Sequence, residues 1–281
     1  MNKAIFVLYI KKINLKNKND SFSQIYKLIN PKSVCLDVGC ATGGLSLALA
    51  KNKSCSVSGL ELNPKSVEEC KKLGVFNFIQ QYDLNLLNTE DFPQFIEAFD
   101  YIICADVLEH LINPSKTVQV LKKFLKPSGN IIISLPNISH ASIKTNLLLD
   151  DFTYTEIGIL DKTHLHFYTA KSIAEMLSSL DLKIKQVNFV MFPLDGWQPH
   201  KISELPKTIA DFISKDKHSH VLNYIISCKK ETCSSKQNLK KIETALQQTN
   251  IKKSENLTFK IKRCLVCKLS FLLKYLEYLK K

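Results

Sequence analysis

The segment Val34–Gly44 reads VCLDVGCATGG and joins an apolar run to a turn of small residues. Near-continuous apolar runs are typical of parallel strands that are covered on both faces. Small residues after such a strand let the backbone approach a ligand closely and begin a helix. The segment therefore predicts a buried strand, a ligand-binding turn and a helix, in that order.

The chain around this segment alternates strand-like and helix-like stretches. The predicted strands are Val34–Gly39, Ser56–Leu62, Asn77–Asp83, Tyr101–Val107 and Asn130–Leu135, and the predicted helices are Gly44–Lys51, Pro64–Leu73, Pro114–Leu125 and Thr169–Leu180. Asp181–Met191 and His220–Lys229 are two later extended segments, and we expect them to pair antiparallel on either side of the Phe192–Ser219 insertion. This alternation predicts an α/β fold with a twisted parallel sheet, helices on both faces, and a ligand at the carboxyl ends of the strands.

Acidic residues lie at or near the carboxyl ends of the first three predicted strands. Glu61 can accept hydrogen bonds from both ribose hydroxyls of a nucleoside, and Asp83 can meet an adenine amino group. The turn after the first strand lacks the G-x-G-x-x-G pattern that cradles a pyrophosphate. Asp37 beside that turn suits a cationic amino-acid group and opposes a pyrophosphate. These features favour S-adenosylmethionine over a dinucleotide as the cofactor.

Four motifs together resemble the class I S-adenosylmethionine-dependent methyltransferases: DVGCATG (Asp37–Gly43), ELNP (Glu61–Pro64), FDYIICADVLEHL (Phe99–Leu111) and LKPSGNIIISLPN (Leu125–Asn137). The resemblance implies a Rossmann-like, mostly parallel seven-stranded sheet in the order 3-2-1-4-5-7-6, with strand 7 antiparallel. It also implies that the cofactor is bound by Asp37, Gly39, Cys40, Ala41, Gly43, Glu61, Asp83, Leu84 and Ala105. Ala41 stands where many members have glycine, and we expect a negative φ angle there.

The acceptor side is indicated by DFTYTEIGILDKTHLHFYT at Asp151–Thr169. This segment resembles a bacterial subgroup that occurs beside glycosyltransferase and surface-polysaccharide genes and, more loosely, the quinone O-methyltransferases of ubiquinone synthesis. The resemblance implies methyl transfer to a hydroxyl of a sugar or glycan-related acceptor. Two alternatives stay open: O-methylation of a quinone or small aromatic acceptor, and an S-adenosylmethionine-binding module without catalysis.

A hydroxyl acceptor must lose its proton, and histidine is suited to take it because its pKa is near neutrality. His164 is the first candidate, since it lies in the matched segment and would share one side of an extended chain with His166. His140 is the second candidate and His110 the third, with fixing the loop after the fourth strand as the alternative role of His110. Asp106 ends that strand and is predicted to form a wall of the methyl-transfer site. No ligand spacing demands a metal.

Charge divides the chain into a nearly neutral body and a basic tail. The net charge is +13, and residues 229–281 supply 14 Lys/Arg against 4 Asp/Glu. Arg263 is the one arginine among the 39 basic residues, which disfavours sequence-specific nucleic-acid recognition. We therefore predict a leader (residues 1–20), a methyltransferase domain (residues 21–230) and a basic, helical C-terminal extension (residues 231–281).

The leucine stripe in Leu257–Lys281 predicts a helix that docks on the domain or on a second subunit, with peripheral contact to the inner membrane face as the alternative. Cys264 and Cys267 form a single C-x-x-C, which is a weak zinc signal. The nine cysteines are scattered and odd in number, which indicates a reducing cytoplasm rather than a disulfide framework. The short run Ala4–Ile10 lacks the features of a secretory signal.

Overall fold

A computed structural model of the chain describes residues 14–17, 19–196 and 198–250. Its sheet contains seven strands: β1 (Val34–Val38), β2 (Ser56–Glu61), β3 (Phe76–Gln81), β4 (Phe99–Ala105), β5 (Leu125–Pro136), β6 (Leu182–Met191) and β7 (Val221–Lys230). They lie in the order β3-β2-β1-β4-β5-β7-β6, and β7 runs antiparallel to both of its neighbours. The predicted strand order and the single antiparallel direction are confirmed.

Eight α-helices accompany the sheet in the described part of the chain: α1 (Ser21–Leu28), α2 (Gly44–Lys53), α3 (Pro64–Leu73), α4 (Pro114–Phe124), α5 (Ala141–Leu148), α6 (Ala170–Ser179), α7 (Lys207–Lys215) and α8 (Ser235–Gln248). The two predicted helices that open on proline begin as expected. The side chain of Asn63 accepts hydrogen bonds from the backbone N–H groups of Lys65 and Ser66, and Asn113 caps α4 in the same way.

Apolar side chains fill both faces of the sheet. The larger core packs α4, α6 and α8 against one face, around fully buried residues such as Ile102 and Leu121. The smaller core packs α1 and α2 against the other face, around Ile25 and Leu49. Both faces of the central strands are therefore dry, which accounts for the near-continuous apolar runs in their sequences.

Three short helices, α1, α5 and α7, were not among the predicted elements. Each has eight or nine residues, and α7 lies inside the predicted Phe192–Ser219 insertion. The predicted helix Pro114–Leu125 ends one residue early because β5 begins directly at Leu125, five residues before the predicted strand.

The first part of the predicted extension packs on the domain. Helix α8 buries Ile242 and Leu246 in the larger core, and Asn238 exchanges hydrogen bonds with the backbone of Leu182 and Ile184. The apolar run Ala4–Ile10 and the leucine-striped helix predicted at Leu257–Lys281 lie outside the described residues. No helix of the described part is both long and apolar enough to cross a membrane.

Candidate active site

A cleft of about 390 Å³ opens at the carboxyl ends of β1, β4 and β5, beside the amino end of the antiparallel β7. Its wall brings together seven of the residues that the sequence analysis singled out: Asp37, Gly39, Cys40, Ala41, Ala105, Asp106 and His164. Further wall residues come from elements far apart in the chain, among them Phe22 on α1 and Leu222 and Asn223 on β7. The cleft therefore lies where a parallel sheet of this order binds ligands.

The turn after β1 is built on three left-handed residues. Gly39 has φ of 66° and Gly43 has φ of 73°, a region that glycine enters without strain. A Cβ atom at Gly39 would lie 2.6 Å from Cγ2 of Val107, so the packing also requires glycine there. Ala41 has φ of 48°, so our expectation of a negative φ angle was wrong.

Two contacts hold Ala41 in this strained conformation. Its backbone N–H donates to Oε2 of Glu61 at 2.8 Å, and its carbonyl accepts from the thiol of Cys70 at 3.2 Å. The turn is thus tied to β2 through Glu61 and to α3 through Cys70. Because these partners compensate for the missing glycine, Ala41 keeps the left-handed backbone that such a turn needs.

Replacing Ala41 with glycine should stabilise the protein by roughly 0.5–1 kcal/mol, because glycine removes the left-handed strain at a partly offsetting entropic cost. Chemical denaturation of the two proteins measures this difference. Ala50→Gly, inside α2, is the control and should destabilise by about 1 kcal/mol. If Ala41→Gly destabilises as Ala50→Gly does, the strain at Ala41 is absent.

The predicted cofactor residues outside the cleft wall lie at the ends of β2 and β3 and in the turn. Glu61 accepts hydrogen bonds from the backbone N–H groups of Ala41 and Asn63, both at 2.8 Å. Asp83 caps the short turn that contains Leu84 by accepting from the backbone of Asn85. Gly43 is the last residue of the turn and directly precedes α2. These four residues, Gly43, Glu61, Asp83 and Leu84, flank the wall without lining it.

Asp37 is a buried carboxylate at the floor of the cleft. Its Oδ2 accepts a hydrogen bond of 2.6 Å from the hydroxyl of Ser46. Burial, opposed by the hydrogen bond from Ser46 and assisted by the nearby charge of Glu61, raises the pKa of Asp37 to about 7. A cationic ligand would therefore compete with a proton for this carboxylate near neutral pH.

His164 and Glu109 meet deep in the cleft wall. The backbone carbonyl of Ile159 lies 2.9 Å from Nδ1 of His164, which places the proton on Nδ1 and leaves Nε2 free to accept. Nε2 lies 4.0 Å from Oε1 of Glu109, whose other oxygen has no hydrogen-bond partner among the described residues. Burial raises the pKa of Glu109 well above its usual value, helped by the charge of Asp106, and burial lowers the pKa of His164.

His110 joins this group, since its ring centroid lies 4.7 Å from that of His164. One ligand atom each of Glu109, His110 and His164 lies within 4.8 Å of the other two, so these side chains could hold a divalent metal ion. The sequence analysis predicted no metal because His164 is more than fifty residues from the other two and shows no ligand spacing. The fold brings them together where Leu165 and His166 donate backbone hydrogen bonds to the carbonyl of Glu109.

The remaining histidine candidates do not line the cleft. His140 is fully buried and caps α5, with Nδ1 accepting from the backbone N–H of Ser142. Burial lowers its pKa to about 4, so it stays neutral in a structural position. His166 is half-buried, and its Nε2 lies 3.3 Å from the carbonyl of Ile112. The expected sharing of one side by His164 and His166 is not found, because the segment forms no strand.

Comparison with known proteins places this arrangement in a family. The family model described as a methyltransferase domain matches residues 13–187, more than half of the chain. The chain belongs to the S-adenosylmethionine-dependent methyltransferases. S-adenosylmethionine is therefore the cofactor of this methyltransferase, as its sequence motifs predicted.

Its relatives include curated proteins named ubiquinone biosynthesis O-methyltransferase. The one from Idiomarina loihiensis is 30% identical over 200 residues, which cover 69% of this chain and 74% of the relative. The one from Actinobacillus pleuropneumoniae is 35% identical over 152 residues, 52% and 63% of the two chains. A third, from Neisseria meningitidis, is 27% identical over 103 residues, 36% of this chain, and the match spans only 43% of its length.

Solved structures resemble the methyltransferase in fold. A S-adenosylmethionine-dependent methyltransferase from Archaeoglobus fulgidus has a TM-score of 0.53 at 17% identity, covering 80% of this chain and 99% of its own. One from Aquifex aeolicus has a TM-score of 0.52 at 14% identity, covering 81% and 98%. At this identity the likeness concerns the fold alone.

The pKa of Asp37 predicts how cofactor affinity depends on pH. Below about pH 7 Asp37 is protonated in the free methyltransferase, and binding the cofactor's ammonium group must expel that proton. The affinity for S-adenosylmethionine should therefore rise about tenfold per pH unit up to pH 7 and then level off. Calorimetry between about pH 5.5 and 7.5 measures this. Asp37→Asn should bind weakly at every pH, and a flat profile in the unchanged protein would exclude Asp37 as the ammonium partner.

Proposed function

We propose that the methyltransferase methylates a hydroxyl oxygen of an uncharged, partly apolar acceptor of the phenol or quinol type. The cleft wall carries this proposal. In the described part of the chain it contains four carboxylates, Asp37, Asp106, Glu109 and Asp161, and neither lysine nor arginine. A phosphate-bearing acceptor such as a nucleotide-linked sugar would find no lysine or arginine there to offset its charge.

Apolar side chains form another part of the cleft wall. Ile157, Ile159 and Leu222 line it from the acceptor segment and from β7, and Phe22 lines it from α1. An aromatic ring with an apolar substituent would bury surface against these side chains, which favours binding by roughly 25 cal/mol per Å² of apolar area. The wall thus fits a neutral ring better than a heavily hydroxylated sugar.

The reaction is an in-line displacement at the methyl group of the sulfonium. The acceptor oxygen forms a bond to the methyl carbon as the carbon–sulfur bond breaks, which releases S-adenosylhomocysteine and a methyl ether. The hydroxyl proton passes to Nε2 of His164, whose Nδ1 is already fixed by the carbonyl of Ile159. The imidazolium that forms then lies 4.0 Å from the carboxyl group of Glu109, whose ionised form it favours.

The relatives support the quinone alternative of the sequence analysis over the sugar acceptor. The proteins named above carry ubiquinone biosynthesis in their names, and the identities of 27–35% leave the acceptor of this chain to be tested. Membership of the polysaccharide-associated subgroup, a cytoplasmic location and membrane contact through the tail stay predictions. So do the domain boundaries at residues 20 and 230.

A panel of acceptors tests the charge argument. Three compounds of similar size are incubated with labelled S-adenosylmethionine: a catechol with a short alkyl chain, the same catechol with a terminal phosphate, and a neutral methyl glycoside. We expect the neutral catechol to be methylated with a kcat/KM at least about tenfold above the other two. Preference for the phosphate compound or for the glycoside would overturn the proposed acceptor class.

A further inference from the structure

Asp106 is held by side chains from two neighbouring strands. It follows β4 directly, and its Oδ1 accepts a hydrogen bond of 2.6 Å from the hydroxyl of Ser134 on β5. The side-chain amide of Asn223 on β7 donates to the same oxygen at 2.8 Å. Three adjacent strands, β4, β5 and β7, therefore converge on one carboxylate oxygen.

The backbone of Asp106 adds to this arrangement. Its φ angle is 54°, a left-handed conformation that costs energy for any residue other than glycine. Its N–H donates to the backbone carbonyl of Ser134 at 3.3 Å, so Ser134 binds Asp106 through both its backbone and its side chain. Strain that is held in place by several partners at a cleft wall is typical of functional positions.

Both side chains that donate to Asp106 are buried. Ser134 is fully buried and Asn223 is 9% exposed. Asn223 is the single amide in the apolar strand VLNYIISC, and it lines the cleft together with Asp106. An amide in a strand of this kind costs free energy unless it makes hydrogen bonds, and here its partner is Asp106.

We propose that Ser134 and Asn223 are positioning residues that hold Oδ1 of Asp106, so that Oδ2 accepts a hydrogen bond from the acceptor hydroxyl. This inference rests on the proposed function, because it assumes a hydroxyl acceptor in the cleft. Two donors on one oxygen fix the rotation of the carboxylate, and the hydroxyl that binds Oδ2 is thereby aimed toward the methyl group. The hydroxyl has a single proton, so its hydrogen bond to Oδ2 is exchanged for one to Nε2 of His164, in the same cleft wall, before His164 takes the proton.

Other charged groups lie near Asp106, and they also affect its pKa in any titration. Glu109 and His110 follow it in the turn after β4, and Asp20 approaches from the start of α1. Burial raises the pKa of Asp106, while Ser134, His110 and Asn223 lower it. Removing either donor should therefore raise the pKa of Asp106 with these neighbours unchanged.

The test uses Ser134→Ala and Asn223→Ala in the full chain. Carbon-13 NMR of labelled aspartate carboxyls, with the Asp106 signal assigned through Asp106→Asn, follows the titration of this residue. We expect each variant to titrate about one pH unit higher than the unchanged protein. Turnover of the catechol acceptor should fall about tenfold, with the affinity for S-adenosylmethionine within twofold. Ser134→Thr retains the hydroxyl and should restore most of both properties.

Ser227→Ala is the matched control. Ser227 is a buried serine on the same strand as Asn223 and has no part in the bonds to Asp106. It should change neither the titration nor the turnover. An Asp106 signal that titrates alike in Ser134→Ala, Asn223→Ala and Ser227→Ala would overturn the inference. A shifted titration in a protein that methylates no hydroxyl would retain the positioning of Asp106 and reject the proposed function instead.

Discussion

Replacing His164 with alanine should lower kcat about 100-fold and leave the affinity for S-adenosylmethionine within about twofold. The reason is that His164 presents Nε2 to the cleft as the proposed proton acceptor, and a general base typically contributes roughly 10²- to 10⁴-fold. Its side chain makes no contact with the predicted cofactor residues of the turn, so cofactor binding should be spared. Steady-state kinetics with the catechol acceptor and calorimetry with the cofactor measure the two effects separately.

His166 provides the matched control for this change. It lies two residues away in the same segment, but it does not line the cleft, and its Nε2 lies beside the carbonyl of Ile112. His166→Ala should therefore keep turnover within about twofold of the unchanged protein. Equal turnover in His164→Ala and His166→Ala would remove His164 from the reaction and leave Asp106 as the group that receives the proton.

Replacing Glu61 with alanine should weaken the binding of S-adenosylmethionine by about 1–3 kcal/mol, roughly 5- to 150-fold. Three losses combine in this variant. The predicted charged acceptor for the ribose hydroxyls disappears, and the backbone N–H groups of Ala41 and Asn63 lose their partner, which frees the strained turn. Calorimetry with the cofactor and with S-adenosylhomocysteine should show similar weakening, because the two ligands share the ribose.

Two further variants separate these losses. Glu61→Gln keeps an oxygen that can accept from Ala41, so it should bind more tightly than Glu61→Ala but less tightly than the unchanged protein. Glu69→Ala removes an exposed glutamate on α3 that pairs with Lys72 and should have no effect. Unchanged affinity in a folded Glu61→Ala protein would refute the ribose assignment.

The strands of the sheet and two helix starts could be predicted because their sequence signals are local. Apolar runs marked the strands, asparagine before proline marked two helix starts, and the resemblance to known motifs supplied the strand order. The short helices α1 and α5 gave no comparable signal, since eight residues span barely two turns. Helix α8 was assigned to a tail on charge alone, although its buried face packs into the domain core.

Site residues that belong to one continuous motif could be predicted from the sequence, and those from distant segments could not. Asp37 and Gly39 belong to a continuous turn, whereas Asn223 and Phe22 reach the cleft from opposite ends of the domain. An asparagine within an otherwise apolar strand is a sequence signal that could have identified Asn223 as a site residue. Glu109 lay inside a quoted motif, but its pairing with His164 depends on the path of a loop.

Backbone conformation was the least predictable feature. Alanine at position 41 suggested a negative φ angle, yet its hydrogen bond to Glu61 and the one it accepts from Cys70 hold it left-handed. Those partners lie on other secondary-structure elements, so no local sequence pattern predicts their contacts with Ala41. The same holds for Asp106, whose strained backbone is held by Ser134 from the neighbouring strand.

Product mass spectrometry with trideuteromethyl-labelled S-adenosylmethionine tests the central claim most directly. The full chain is incubated with the labelled cofactor and the neutral catechol acceptor, and fragmentation locates the label. We predict one labelled methyl group on a hydroxyl oxygen for each S-adenosylhomocysteine formed, with the rate reduced about 100-fold in His164→Ala. A protein that binds the cofactor but transfers no label, or that places the label on carbon, would contradict this account.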